Sequence, residues 1–513
     1  MSQPAPAAAG GDTINLSLVS HTNVGKTTLM RTLTRQDIGE VADRPHVTEE
    51  AESYVLIDTP QGDALRLWDT PGFGDSARLL KRLRANANPI GWLLTQVWDR
   101  FADRPFFCSQ RAVRNVRDES DVVLYLVNAA EEPSSAGYVE KEIEILGWIG
   151  KPVVVLLNQM GPARGKEAEA AEEALWTRHL AAHVGSREAI ALDAFARCWV
   201  QEDRLLGVVS RVLPEEKRQS FARLQRAWRK RNVEVFDAAM HSIAAQLAAV
   251  VTDMETVGKQ SFPQRAWRWL ASVATDQSKP DPVTDRAMNA LASRLDRAVR
   301  DNTDRLITLH GLSGRAKEDI LARLAGQFEV EKPMDVATSG AVGGMLSGAL
   351  GGLAADLASG GLTVGAGALI GGIVGALGAG GVARAYNLAR GTEDGRVRWS
   401  EEFLTERFSA AILRYLAVAH YGRGRGDWIE SEYPAHWRPL ASEAASQHRG
   451  ALQTIWDASE GRASAAAVAE QLTPLVTNAA REVLERLYPE AGKMFDSARQ
   501  QESGAAGLDQ ARG

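Results

Sequence analysis

The stretch SHTNVGKTTL, Ser20 to Leu29, decides how the first part of this chain folds. It follows an apolar strand pattern, TINLSLV (13–19), and opens onto a helical pattern. A loop in that setting can wrap its backbone N–H groups around phosphate oxygens at a helix N-terminus. Gly25 lets the backbone approach a phosphate, Lys26 reaches the β- and γ-phosphates, and Thr27 offers a hydroxyl to Mg²⁺. Asn23, Val24 and Thr28 complete the expected nucleotide-contacting loop. One departure stands out: Ser20 replaces the leading glycine of the phosphate-loop pattern.

Moving outward, WDTPGFG (68–74) ends a second strand pattern. Asp69 is placed to hold Mg²⁺ through water, and the Gly72 N–H to sense a γ-phosphate. Asp58-Thr59-Pro60 also reads DTP, but Gln61 follows it and it falls in an expected hairpin, so the chemistry is assigned to Asp69. Between these elements RPHVTEE (44–50) places Thr48 in a loop, where a switch threonine binding Mg²⁺ would fit. An ordinary solvent-facing threonine fits there too.

Short apolar runs alternate with helical patterns as far as Leu213, which predicts an α/β domain. Strands are expected at 13–19, 53–58, 64–69, 121–127, 152–157 and 189–192, the second and third joined by the turn TPQGD. VVLYLV and VVVLL suit strands buried on both faces of a largely parallel sheet. After Pro214 the pattern is almost wholly helical. The expected organisation is a leader (1–12), an α/β domain (13–213), a helical domain (214–494) and a tail (495–513).

The 513 residues have ordinary globular composition, and a net charge of −6 argues against a broadly basic nucleic-acid binder. Cys108 and Cys198 stand far apart in no metal spacing, so neither a disulfide framework nor zinc is inferred. The leader lacks a basic n-region and an apolar core, which points to a cytoplasmic address rather than secretion.

NVGKTTL, a threonine about twenty residues on, DTPG after the third strand and an asparagine-led motif after VVVLL together resemble the bacterial Era- and TrmE-like GTPases. The resemblance covers residues 13–200. With the glycine-rich segment downstream, the whole is similar to a family in which an Era-like GTPase domain precedes a helical domain of unknown function. It implies a Ras-like P-loop fold that binds GTP and GDP and hydrolyses GTP with Mg²⁺, with Lys26 and Thr48 in catalysis and Thr27, Thr48 and Asp69 around the metal. Phe73 stands where Ras-type enzymes use a water-orienting glutamine; Era- and TrmE-like proteins also often carry a hydrophobic residue there. Asn23 stands where some of these proteins bind K⁺ in place of a catalytic arginine; bracing the loop is the alternative role.

At the base site the sequence departs from the family. Instead of Asn-Lys-x-Asp it reads Asn158, Gln159, Met160, Gly161, and Gly161 offers nothing to guanine N1 and N2. Asn158 can still brace the phosphate loop, and Gln159 can lay its stem over the base. Asp193 and Ala194 match the family's last nucleotide-binding loop in position; Asp193 either replaces the lost carboxylate or caps a turn.

Two further segments are unusual. PIGWLLTQVWDRFADRPFF (89–107) sets Trp92, Leu93, Val97, Trp98 and Phe101 at helical spacing, a face expected to pack on the α/β or helical domain, with contact to a partner or membrane as the alternative. In 339–383, Gly340, Gly344, Gly348 and Gly352 recur every fourth residue, as do Gly367, Gly371 and Gly375, with Ser359-Gly360-Gly361 as a turn. Such glycine-zipper arms pack closely, either across a membrane, which would give contact with lipid at the inner membrane, or inside a soluble bundle. LQRAWRKRN (224–232) reads as a solvated basic helix face or as a contact for anionic lipid or RNA.

Overall fold

The computed structural model describes residues 11–35, 51–96, 103–160, 166–183, 189–192, 198–257, 282–312, 386–390, 395–421, 436–459 and 463–496. Thr48, Asp193, Ala194, Val97, Trp98, Phe101 and the glycine-rich segment 339–383 lie outside the described residues.

Six strands form the first sheet: β1 (Thr13–Ser20), β2 (Glu52–Asp58), β3 (Ala64–Asp69), β4 (Val122–Asn128), β5 (Val153–Asn158) and β6 (Ala189–Ala191). Their order is β2-β3-β1-β4-β5-β6, parallel throughout except for the antiparallel β2–β3 hairpin. Both-face burial explains the uninterrupted apolar runs. Val122, Leu124 and Leu126 face one side of the sheet while Val123, Tyr125 and Val127 face the other, because side chains alternate along a strand.

Helices cover each face. On the first lie α1 (Lys26–Thr34), α7 (Trp199–Val212) and the start of α8 (Glu215–Thr252), through Leu29, Leu33, Leu205, Val209, Phe221, Leu224 and Trp228. On the second lie α2 (Ser76–Arg84), α3 (Pro89–Thr95), α4 (Arg104–Asp118), α5 (Gly137–Gly147) and α6 (Lys166–His183). The chain passes to opposite sides of β1 as it enters β3 and β4. A crevice therefore opens at the carboxyl end of β1, the usual ligand position in such sheets.

The segment 89–107 does not run as one helix: α3 stops at Gln96, whose backbone is extended, and α4 begins at Arg104. Of the face's described residues, Leu93 is buried and Trp92 half-buried; Phe106, at the start of α4, is buried as well.

Pro214 ends α7, because the residue before a proline prefers extended backbone, and Leu213 takes ψ 146°. It does not end the compact unit. The chain divides into Met1–Glu234 with Ala419–Asp427 and Leu487–Gly513, and Val235–Val418 with Trp428–Arg486. The basic stretch 224–232 is accordingly partly core: Leu224 and Trp228 are buried, Arg229 pairs with Asp203 at 2.8 Å, and Arg231 lies over the Trp228 ring.

Within the first unit Asp63, fully buried at the β2–β3 turn, accepts from Arg223 of α8 at 2.6 and 2.8 Å, from Thr59 Oγ1 and from the Asp12 N–H. The Arg223 hydrogen bond is the main cause that holds the Asp63 carboxyl down to about 2. A depressed folded value contributes stability above the unfolded carboxyl value of about 3.9, and loses it as pH falls through the folded one. Asp63→Asn is expected to cost about 2 kcal/mol at neutral pH, the scale of hydrogen bonds to a charged group. The cost should shrink between pH 4 and pH 2, measured by denaturant melts of both proteins across that range.

The second unit is mostly helical, with α9 (Pro282–Leu309), α10 (Glu401–Ala419), α11 (Trp437–Gln447), α12 (Arg449–Ala458) and α13 (Ala465–Leu487). It also holds a three-stranded antiparallel sheet, β7 (Met254–Val257), β8 (Tyr386–Arg390) and β9 (Gly395–Trp399), in the order β7-β9-β8. The near-total helical pattern concealed it, because these strands are four or five residues long. Phe236, Ile243, Leu247, Phe403, Phe408 and Tyr415 are among its buried apolar side chains. Arg414 is buried and donates to Gln246 Oε1 at 2.7 Å and Asn302 Oδ1 at 2.9 Å. Among the described residues α8 alone is long and apolar enough to cross a membrane, and 56% of its apolar window is buried within the protein.

Candidate nucleotide-binding site

The loop after β1 takes a conformation that only certain residues tolerate. Asn23 (φ 64°) and Gly25 (φ 88°) both lie in the left-handed region, and Gly25 is the N-cap of α1. A Cβ on Gly25 would meet Asn158 Nδ2 at 2.7 Å, so the glycine serves both backbone and packing. Asn158, fully buried at the end of β5, donates from Nδ2 to the Val24 carbonyl at 2.7 Å. Gln159, itself at φ 58°, donates to the Asn23 carbonyl at 3.4 Å. The base-loop residues thus grip the phosphate loop.

Gly25→Ala is expected to cost about 2–3 kcal/mol: roughly 1–2 for left-handed backbone and about 1 for the displaced Asn158 bond. Thermal melting of the full chain measures it.

Lys26 is buried and donates to Ser20 Oγ at 3.1 Å, so the serine in place of glycine has a contact of its own. Burial lowers the Lys26 pKa, while Asp69 and then Glu142 oppose that shift electrostatically. Thr27 Oγ1 donates to Asp69 Oδ2 at 2.7 Å. The rival Asp58 is exposed at the end of β2, while Asp69 is buried beside Thr27. Hydroxyl and carboxylate oxygens side by side are the hard donor set that Mg²⁺ takes.

The DTPG segment closes over this loop. Phe73 N–H donates to the Ser20 carbonyl at 2.9 Å, and Thr22 N–H to the Phe73 carbonyl at 3.2 Å. A Cβ on Gly72 would sit 3.1 Å from both Lys26 Nζ and Thr22 Cα, closer than ordinary contact, so a side chain there would push the lysine or the Thr22 backbone aside. The Phe73 ring is fully buried in the core, so it does not reach the phosphate side. Asn23, Val24, Gly25, Lys26, Thr27, Thr28, Asp69, Gly72, Asn158 and Gln159 therefore lie on connected elements around one crevice.

A second layer was not anticipated. Glu142 of α5 is fully buried behind the loop and is hydrogen-bonded to His21 Nδ1, Ser76 Oγ and Tyr125 OH. In the sequence it is one of three glutamates in EKEIE and carries no distinguishing signal.

Residues 181–488, well over half of the chain, match the model described as Domain of unknown function (DUF3482). The chain belongs to the DUF3482 family. Residues 15–159 match the model of the 50S ribosome-binding GTPase, so this DUF3482 protein carries an Era-like GTPase domain ahead of its helical region. GTPase Era of Heliobacterium modesticaldum (strain ATCC 51547 / Ice1) is 27% identical over 152 residues, 30% of this chain. The chain spans 41% of that relative's length. Among solved structures, Era in complex with MgGDPNP and a 16S ribosomal RNA fragment aligns at 19% identity over 40% of this chain and 58% of its own, with a TM-score of 0.29. Aquifex aeolicus Era bound to GDP and AlF4⁻ aligns at 14% identity over 56% and 88%, with the same TM-score.

Proposed function

We propose that this DUF3482 protein binds GTP and GDP through its N-terminal unit and hydrolyses GTP as a conformational switch. One observation carries the reading: Lys26, Thr27, Asp69 and Gly72 converge on a glycine-gated loop at the carboxyl end of β1. Lys26 Nζ would meet the β- and γ-phosphate oxygens, and the loop N–H groups would take the remaining phosphate charge. Thr27 and Asp69, joined by Thr48, would hold Mg²⁺, which when bound neutralises charge on the phosphate oxygens. Gly72 lies against Lys26, so its N–H is where a γ-phosphate would be sensed. With the Phe73 ring in the core, water must be placed by backbone or loop groups.

The base is read without the family's aspartate. Asn158 spends one amide N–H on the Val24 carbonyl and keeps its other amide groups, so Asn158, Gln159 and the loop of Asp193 and Ala194 would contact guanine. Comparing GTP and ATP affinities of the full chain by calorimetry tests this. Tight GTP binding with weak ATP binding supports a guanine site; equal affinities reduce the reading to a general nucleoside-triphosphate switch.

Asn23, at a positive φ beside the phosphate position, keeps the K⁺ role in play. Turnover faster in KCl than in NaCl assigns it that role, and equal rates assign it to bracing. Contact with inner-membrane lipid through 339–383 rests on its four-residue glycine spacing. Retention of the chain on carbonate-washed membranes supports insertion, and full release places the segment in a soluble bundle and the protein in the cytoplasm.

A further inference from the structure

We propose that Glu142 is a positioning residue, joining the phosphate loop to the helix that follows the DTPG sequence and so holding Gly72 against Lys26. Its kinetic consequences rest on the nucleotide reading above; its structural consequence does not.

The carboxylate is fully buried and serves three elements at once. His21 Nδ1, from the phosphate loop, donates at 2.6 Å; Tyr125 OH, from β4, donates at 2.8 Å; Ser76 Oγ, from the first residue of α2, donates to the same oxygen as His21. A carboxylate accepts only, so all three hydrogens must point inward, and the His21 tautomer is fixed with its proton on Nδ1. The His21 ring also stacks on Tyr138 at 4.5 Å, which holds its plane. Burial and the neighbouring carboxylate raise the Tyr125 pKa well above its ordinary value, so it stays a neutral donor.

Neighbouring glutamates do other work. Glu144 pairs with Arg84, and Glu140 with His179. Only Glu142 of the three is buried. An anion in such a setting is tolerated only while its donors stay in place, because leaving it short of partners costs the desolvation of a charge. The segment after Gly72 is fastened by the Phe73 backbone to Ser20 and Thr22, by the Gly74 N–H to Ser109 Oγ, by the Ser76 side chain to Glu142 and, at the far end of α2, by Arg84 to Glu144. Tyr125 and His21 belong to the strand and loop that frame the site, whereas Ser76 belongs to the segment a γ-phosphate would pull. Ser76 is the releasable contact and Glu142 its anchor.

The experiment uses the full chain with Ser76→Ala, Ser76→Thr and Glu142→Gln. Hydrogen exchange without nucleotide should run about tenfold faster over residues 73–84 in Ser76→Ala and Glu142→Gln, the factor one hydrogen bond to a charged group carries. Exchange over α7 should be unchanged, and Ser76→Thr, which keeps the hydroxyl, should restore wild-type rates. In Ser76→Ala and Glu142→Gln, but not Ser76→Thr, kcat for GTP should fall about tenfold while GDP affinity stays within twofold. Wild-type exchange over 73–84 in Ser76→Ala overturns the proposal, as does equal acceleration over α7 or a parallel loss of GDP affinity and kcat. A wild-type chain that does not turn over GTP counts against the functional reading alone, and the exchange measurement then decides this one.

Discussion

Lys26→Met is expected to weaken GTP binding by about 10²–10⁴-fold while leaving the fold of the N-terminal unit intact. The ammonium is buried at the N-terminus of α1 and spends one proton on Ser20 Oγ. The other two are available to phosphate oxygens, and charge-assisted bonds contribute about 1.5–3 kcal/mol each. Two of them amount to about 3–6 kcal/mol, and each 1.4 kcal/mol is tenfold in affinity. Methionine keeps the length and apolar volume of the stem but leaves Asp69 and Glu142 without the cation that faces them. Titration of the full chain with GTP and GDP reads the effect directly. Affinity unchanged from wild type would remove Lys26, and with it this crevice, from the nucleotide site.

The sheet was legible because its strands are buried on both faces. Continuous runs such as VVLYLV and VVVLL leave little choice of conformation, and the observed strands β4 and β5 lie within a residue of the expected 121–127 and 152–157. The phosphate loop was legible for a different reason: close backbone approach demands glycine and a lysine at fixed spacing. What stayed hidden depends on contacts between distant residues. Glu142 meets His21 across 121 positions and Ser76 across 66, and no local pattern separates it from the glutamates beside it. The short strands β7 and β9 are joined only through pairing between Met254 and Arg398 and their neighbours, far apart in the chain. Pro214 misled in a simpler way. It stops one helix, but a proline reports on backbone at its own position and says nothing of where a core ends.

That last point gives the second large effect. Trp228→Ala is expected to cost about 3–5 kcal/mol of stability, the range for truncating a buried aromatic side chain. Trp228 lies beyond Pro214, yet it is 1% exposed and packs in the same cluster as Leu16 of β1 and Leu33 of α1. The Arg231 guanidinium sits 4.5 Å above its ring, and burial already lowers the Arg231 pKa, so removing the ring takes away that cation's aromatic partner. The indole Nε1 has no hydrogen-bond partner among the described residues, so Trp228→Phe gives up packing rather than polar contact. Phenylalanine keeps one ring of the indole, so its cost should be smaller than that of alanine but still include the cavity left by the lost ring. At about 2–4 °C per kcal/mol for a unit of this size, the alanine variant should lower the first melting transition by about 10 °C. Nucleotide should raise that same transition, because ligand bound to the folded form stabilises whatever unit holds the site. A Trp228→Ala chain that melts like wild type would place the start of α8 outside the nucleotide-binding core. A drop in the nucleotide-sensitive transition instead makes the first turns of the helical region a working part of the GTPase unit, so the site cannot be studied on a fragment cut at Pro214.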